Sequence, residues 1–147
     1  MMGVSSDGLL IIIDPNTGQG QQVADLNLTG FDVETIIQLP SGQLAVMHRE
    51  KLYHVDLLTH QKQFINNVTN NVRRVEAFAL DTDDKKYASG AVVSDDAKAE
   101  TFITLNAATA DATIISAFSS TNDVEAMAFA DDGSLYGCDL TTNNFHH

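Results

Sequence analysis

The sequence is poor in cysteine, tryptophan, proline and positive charge. Its 147 residues include one cysteine, no tryptophan and two prolines. Cys138 has no second cysteine to pair with, so an internal disulfide is excluded. The cysteine content therefore indicates neither a reducing nor an oxidising compartment. Eight Lys and Arg stand against 20 Asp and Glu, for a formal net charge of −12. Such an acidic surface repels phosphates, so we expect no nucleic-acid partner and no anionic membrane partner.

Sequence patterns for membrane insertion, nucleotide binding and catalysis are also missing. The longest apolar run, residues 9–13, is far shorter than the roughly 20 residues of a membrane-spanning helix. There is no phosphate-binding loop, dinucleotide-binding glycine motif or nucleophile elbow. His48, His54 and His60 lack the companion ligands of a zinc site. We therefore predict no catalytic residue, no metal ligand set and no resident cofactor, and the sequence assigns no compartment.

What the chain does contain is an internal repeat. Three segments align without gaps and begin at residues 31, 73 and 122: FDVETIIQLPSGQLAV, RRVEAFALDTDDKKYA and NDVEAMAFADDGSLYG. Each has a Val-Glu pair, and the valines Val33, Val75 and Val124 are 42 and 49 residues apart. The pair opens an apolar strand, which is followed by a polar turn and a second strand.

A second pattern lies between these segments. IIIDPNTG, YHVDLLTH and ITLNAATA each combine an apolar strand, an Asp or Asn, two further residues and a Thr. Asp and Asn side chains accept hydrogen bonds from the backbone just after them and so stabilise tight turns. We expect a strand, a turn and another strand at each place.

One period therefore contains four strands, A to D, starting from the Val-Glu strand, and almost no helix is expected because no segment has a helical apolar period. The predicted strands are A at 33–39, 75–80 and 124–130; B at 43–48, 86–93 and 134–138; C at 9–13, 52–55 and 101–105; and D at 22–26, 62–68 and 112–118. The polar stretch SDDAKAE, residues 94–100, is predicted to be a loop between B and C of the middle repeat.

Four short antiparallel strands per 40–50 residues are typical of a β-propeller blade. Strand A would be innermost, where small side chains such as Ala77, Ala79, Ala126 and Ala128 fit. A β-sandwich would explain the strands but not the repeat. The patterns LYGxD, IDPxTG and the VE-A-F strand resemble blades of six-bladed propellers, namely the YncE-like, NHL-like and gluconolactonase-like proteins. This blade-level resemblance implies a fold rather than a function.

The order of strands predicts how the segment is organised. We expect one all-β propeller segment over residues 1–147, with strands CD at 9–26, blades at 33–68 and 75–118, and strands AB at 124–138. This amounts to three blades, or half of a six-bladed ring. Three blades cannot close a ring. Either two copies form a homodimer by exchanging terminal strands, or the chain is a fragment of a longer propeller.

Three equivalent glutamates are the candidate binding residues. Glu34, Glu76 and Glu125 follow the repeated valines and would circle one mouth of the central channel. There they could bind Ca²⁺ or a cationic ligand, or each could accept hydrogen bonds that fix the top of its blade. The function we expect is a non-catalytic binding or scaffold module whose loop-lined faces hold a protein, glycan or small ligand that the sequence does not identify. The alternative is a metal-dependent hydrolase of the lactonase type, because the resemblance to gluconolactonases implies a metal-binding glutamate on an inner strand, although its Asn and Asp partners have no match here.

Overall fold

The computed structural model describes residues 1–28, 33–81, 85–94, 97–118, 123–141 and 144–146. These residues form β-strands and turns, and none of them belongs to a helix that could span a membrane. The strands are β1 Met2–Val4, β2 Leu9–Ile13, β3 Gly20–Asp25, β4 Val33–Gln38, β5 Leu44–His48, β6 Lys51–Val55, β7 Lys62–Asn67, β8 Val72–Leu80, β9 Lys86–Ser94, β10 Ala97–Leu105, β11 Ala112–Ala117, β12 Val124–Phe129, β13 Leu135–Asp139 and β14 Asn144–His146.

The strands form four separate antiparallel sheets, each built from consecutive strands. Blade 1 is β1–β3, blade 2 is β4–β7, blade 3 is β8–β11 and blade 4 is β12–β14. The A strands β4, β8 and β12 contact one another in succession, so they line the axis. The D strands β3, β7 and β11 are mostly exposed at the outside. All twelve predicted strands are present, and the predicted all-β propeller architecture is confirmed over a β-sandwich.

Each end blade contains a strand that the sequence interpretation missed. β1 pairs with the inner edge of β2, in the place of a B strand. β14 pairs with the outer edge of β13, in the place of a C strand. The sequence pattern predicted that terminal strands of another copy or of a longer propeller would cover both of these edges, whereas β1 and β14 of the same chain pair with them. β1 and β14 span three residues each, too few for an alternating pattern to stand out.

The predicted loop at residues 94–100 is also wrong. β9 continues to Ser94 and β10 begins at Ala97, so the B–C hairpin of blade 3 is longer than its counterpart in blade 2. Residues 95 and 96 lie outside the described part. Antiparallel pairing uses backbone groups, so a polar sequence can extend a hairpin as well as interrupt it.

The predicted C–D turns are confirmed. In each of them the Asp or Asn side chain accepts a hydrogen bond from the backbone N–H two residues later, at 2.8 Å for Asp14, 2.9 Å for Asp56 and 2.9 Å for Asn106. The N–H of Asn16 is the main reason that the pKa of Asp14 is lowered, and the N–H of Thr59, followed by that of Leu58, lowers the pKa of Asp56, because these bonds stabilise the charged carboxylate.

The core lies between blades rather than within them. Strand β5 is buried along its whole length because its two faces pack on different neighbours. Leu44 and Val46 join the cluster between blades 1 and 2, whereas Ala45 and Met47 join the cluster between blades 2 and 3. The alternation of a β-strand is therefore present, although the sequence shows a continuous apolar run.

This packing predicts a contrast between two leucines of blade 2. Leu52 is 0% exposed in the core between blades 2 and 3, whereas Leu58 in the following turn is 93% exposed. We expect Leu52→Ala to lower the free energy of unfolding by about 2–5 kcal/mol through lost contacts and a cavity. Leu58→Ala should change it by no more than about 0.5 kcal/mol. Urea unfolding followed by circular dichroism measures both, and equal midpoints for the two variants would contradict the assigned core.

Candidate functional site

The repeated Val-Glu pair marks a β-bulge at the start of each A strand. The A–B register shifts between Val33 and Thr35, between Val75 and Ala77, and between Val124 and Ala126. In each case the glutamate is the extra residue. A bulge turns a side chain away from the regular alternation of the strand. The three glutamates therefore occupy equivalent positions, each as the bulged residue of its A strand.

Arg74 joins two of these three glutamates. Its Nε donates to Glu34 Oε1 at 2.8 Å and its Nη2 donates to Glu34 Oε2 at 3.2 Å. Its Nη1 lies 2.9 Å from Glu76 Oε1. The hydrogen bond to Glu34 is the main reason that the pKa of Arg74 is raised. The guanidinium therefore links blade 2 to blade 3 through a bidentate contact with Glu34.

The third glutamate has a different environment. Glu125 is exposed, and it acts on Arg74 only as a nearby charge. Glu34 is half-buried against Arg74, and Glu76 is 5% exposed. Within the described residues, the carboxylates of Glu34 and Glu125 do not join that of Glu76 in a group of metal-ligand geometry.

Glu76 instead belongs to an acidic cluster that the sequence did not predict. This acidic cluster consists of Glu76 on β8, Glu100 on β10 and Asp123 just before β12. One oxygen of each carboxyl group lies within 4.8 Å of the others. The backbone of Asp123 is held by Asp139, whose Oδ1 accepts its N–H at 3.2 Å. The acidic cluster thus spans the seam between blades 3 and 4.

Two oxygens of the acidic cluster are buried without a hydrogen-bond partner, Glu76 Oε2 and Glu100 Oε1. Carboxylate oxygens only accept hydrogen bonds, so the three groups can bond one another only if one of them carries a proton. The pKa of Glu100 is raised to about 8, mainly by burial and further by the negative charges of Glu76 and Asp123. The positive charge of Arg74 acts in the opposite direction. Burial also raises the pKa of Glu76, although Arg74 opposes this.

A buried hydroxyl reinforces the same seam. Ser89 Oγ accepts the N–H of Ala77 at 3.1 Å and donates to the carbonyl of Val124 in blade 4 at 2.5 Å. Ser89 is the register partner of Ala77, so both side chains lie on the face toward blade 4. His54, one of the three spaced histidines, lies with Nε2 2.7 Å from the carbonyl of Ala107 and links blades 2 and 3.

No protein-family model and no curated protein matches this chain. Solved structures do. The extracellular domain assigned to a one component system from B. thetaiotaomicron is 14% identical, with a TM-score of 0.55, and covers 99% of this chain and 21% of its own. Virginiamycin B lyase from Staphylococcus aureus is 11% identical, with a TM-score of 0.59, at 98% and 50% coverage. The PQQ-bound aldose sugar dehydrogenase from Streptomyces coelicolor is 20% identical, with a TM-score of 0.55, at 74% and 38% coverage.

These similarities agree on architecture. The chain spans about half the length of virginiamycin B lyase and about a fifth of the extracellular domain. At such identities the likeness shows the fold and leaves the function of this chain undetermined. The predicted resemblance to propeller blades is confirmed at the level of the blade.

The raised pKa of Glu100 predicts a pH dependence of stability. Below about pH 4.5 the carboxyl is protonated in both the folded and the unfolded chain. Between that value and about pH 8 the unfolded chain releases the proton while the folded protein retains it, so the free energy of unfolding should fall as the pH rises. Glu100→Gln is neutral at every pH. Because solvent screens the partly exposed Glu100, we expect the variant to be more stable than the parent at pH 8 by on the order of 1–3 kcal/mol, less than the full shift would give.

The comparison uses unfolding midpoints at pH 5 and pH 8, taken as the difference between parent and variant so that the other titrating groups cancel. Glu125→Gln removes the same charge from an exposed position of the repeat and should track the parent. A difference between parent and Glu100→Gln that stays constant from pH 5 to pH 8 would contradict the assignment.

Proposed function

We propose that this chain is a non-catalytic binding and scaffold segment of a β-propeller, whose open blade faces are covered by further blades. The observation that carries this proposal is a contrast between equivalent alanines. Ala77 and Ala79 of blade 3 are 2% and 3% exposed. Their counterparts Ala126 and Ala128 of blade 4 are exposed.

The contrast comes from what lies beside each strand. Ala77 faces blade 4, as the hydrogen bond from Ser89 to Val124 demonstrates. The corresponding face of blade 4 has no sheet against it among the described residues, and Tyr136 on β13 is 40% exposed. Apolar sheet faces of this kind are normally covered, and small residues on an inner strand suit the close approach of another blade.

A second copy of the chain is the partner we propose for this face. Closed two-fold assemblies are the commonest oligomers. Exchange of the terminal strands would have to displace β1 from β2 and β14 from β13, since both edges are already paired. Packing of sheet faces needs no such displacement. The alternative is a longer polypeptide that supplies the remaining blades, because the chain spans only part of the larger propellers that it resembles.

The non-catalytic part of the proposal is supported by the state of the inner carboxylates. Glu34 is neutralised by the two-pronged contact of Arg74, and Glu76 is buried. Neither is placed to take a proton from a substrate that arrives from solvent. The lactonase-type alternative would need an ion held jointly at the mouth of the channel, whereas Arg74 lies between Glu34 and Glu76.

Association through the open face predicts opposite behaviour for two equivalent substitutions. Ala128→Glu puts a charge on the exposed face, so it should change the stability of the single chain by no more than about 0.5 kcal/mol and should abolish self-association. Ala79→Glu buries the same charge between blades 3 and 4 and should cost at least about 3 kcal/mol.

Sedimentation velocity and thermal unfolding measure the two effects. The parent should form dimers at micromolar concentrations, with an unfolding midpoint that rises with concentration, and Ala128→Glu should sediment as a folded monomer. A parent chain that is still monomeric at about 100 micromolar, and so associates with a Kd weaker than about 10⁻⁴ M, would contradict the proposal, as would an Ala128→Glu variant that still dimerises.

A further inference from the structure

The acidic cluster has the dimensions of a site for a divalent cation. Calcium binds oxygen ligands at about 2.3–2.6 Å, so two ligands on opposite sides of the ion lie up to about 5 Å apart. One carboxyl oxygen from each of Glu76, Glu100 and Asp123 lies within 4.8 Å of the other two. One ion could therefore contact all three carboxylates without moving the backbone.

A second observation indicates that the cluster lacks a partner. Glu76 is 5% exposed; its Oε1 contacts Arg74, while its Oε2 is buried and accepts no hydrogen bond. Glu100 Oε1 is likewise buried without a partner. An unsatisfied buried carboxylate oxygen is costly. The two unpartnered oxygens belong to two of the three carboxyl groups that converge, so one cation bound between these groups would compensate the buried charge of both.

Arg74 cannot supply the missing contact. Its Nε and Nη2 are engaged by Glu34, and its Nη1 contacts the other oxygen of Glu76. One guanidinium is shared between the two glutamates, so the three carboxylates of the cluster retain a negative surplus when ionised. This surplus favours a doubly charged cation over a monovalent one.

We propose that Glu76, Glu100 and Asp123 bind a hard divalent cation, for which calcium is the best match, at the seam between blades 3 and 4. All three ligands are oxygens, which disfavours zinc, whose usual protein ligands are nitrogen and sulfur. Magnesium requires near-ideal octahedral geometry at shorter distances and gives up water reluctantly, whereas calcium accepts irregular sets of six to eight ligands. Water reaching the partly exposed Glu100 and Asp123 completes the coordination.

The ion would join the inner strand of blade 3 to the start of blade 4, beside the hydrogen bond from Ser89 to Val124. Its role is to hold two blades together. This assignment stands on different residues from the ring-closing face, so a failure of one proposal leaves the other intact.

Calorimetric titration and thermal unfolding with calcium chloride test the site, with sodium chloride at matched ionic strength as the reference. With three carboxylates and Arg74 nearby, we expect a Kd on the order of 10⁻⁴–10⁻³ M. At tenfold that concentration the midpoint should rise by about 3–5 °C. Magnesium should give at most a third of this shift.

Two substitutions of equal charge separate a site from general screening of the acidic surface. Glu100→Gln should weaken calcium binding at least tenfold and remove the calcium-dependent shift. Glu125→Gln, with the same change in net charge at an exposed position, should leave both unchanged. Asp123→Asn should behave like Glu100→Gln, which checks the contribution of blade 4. A parent without a calcium-specific shift, or variants that all respond alike, would overturn the proposal.

Discussion

Each sheet of this chain has two faces, and a face is covered where a neighbouring sheet packs on that side. Strand β5 demonstrates this, because Leu44 and Val46 pack toward blade 1 while Ala45 and Met47 pack toward blade 3. Among the residues that the structure describes, both core clusters lie between blades, so each blade depends on its neighbours, as in other repeat architectures. Blade 3 is covered on both sides and blade 4 on one. The difference in exposure between equivalent alanines follows from this constraint, and so does the proposal that further blades complete the ring.

The same repeated position has a different role in each blade. The bulge at Glu34, Glu76 and Glu125 is a property of the backbone and recurs three times. The residue before the Val-Glu pair is an arginine only in the second repeat, where the other two have aspartate. This residue, Arg74, contacts both Glu34 and Glu76 across the seam between blades 2 and 3. Glu100 and Asp123 then surround Glu76 from the other side, which concentrates buried negative charge at the seam with blade 4. Burial in such a place must be compensated by a proton or a cation, and this requirement underlies both the pH dependence and the cation site.

Much of the architecture could be predicted from the sequence, because turn chemistry and apolar alternation are local. The turns at Asp14, Asp56 and Asn106 and all twelve expected strands follow from such signals. Three features could not be predicted, namely the strands β1 and β14 and the extended hairpin of blade 3. The two strands are too short to show an alternating pattern, and the hairpin is extended by a polar sequence that pairs through its backbone. The glutamates were found as a repeat, but the acidic cluster was not. Glu100 lies on the extended hairpin and Asp123 lies just before the first strand of another blade. Their proximity to Glu76 depends on how the blades pack, and the periodicity of a single sequence does not predict that packing.

The central claim is that packing between blades, rather than pairing within a sheet, sets local stability. Amide hydrogen exchange tests it directly on two equivalent segments of similar sequence, residues 75–80 of β8 and 124–129 of β12, each of which is paired to its own B strand. The measurement is made at a concentration where the chain is monomeric. The account predicts that amides of β8 exchange much more slowly than the equivalent amides of β12, because β8 is covered on both faces. Equal protection of the two segments, or greater protection of β12, would contradict it.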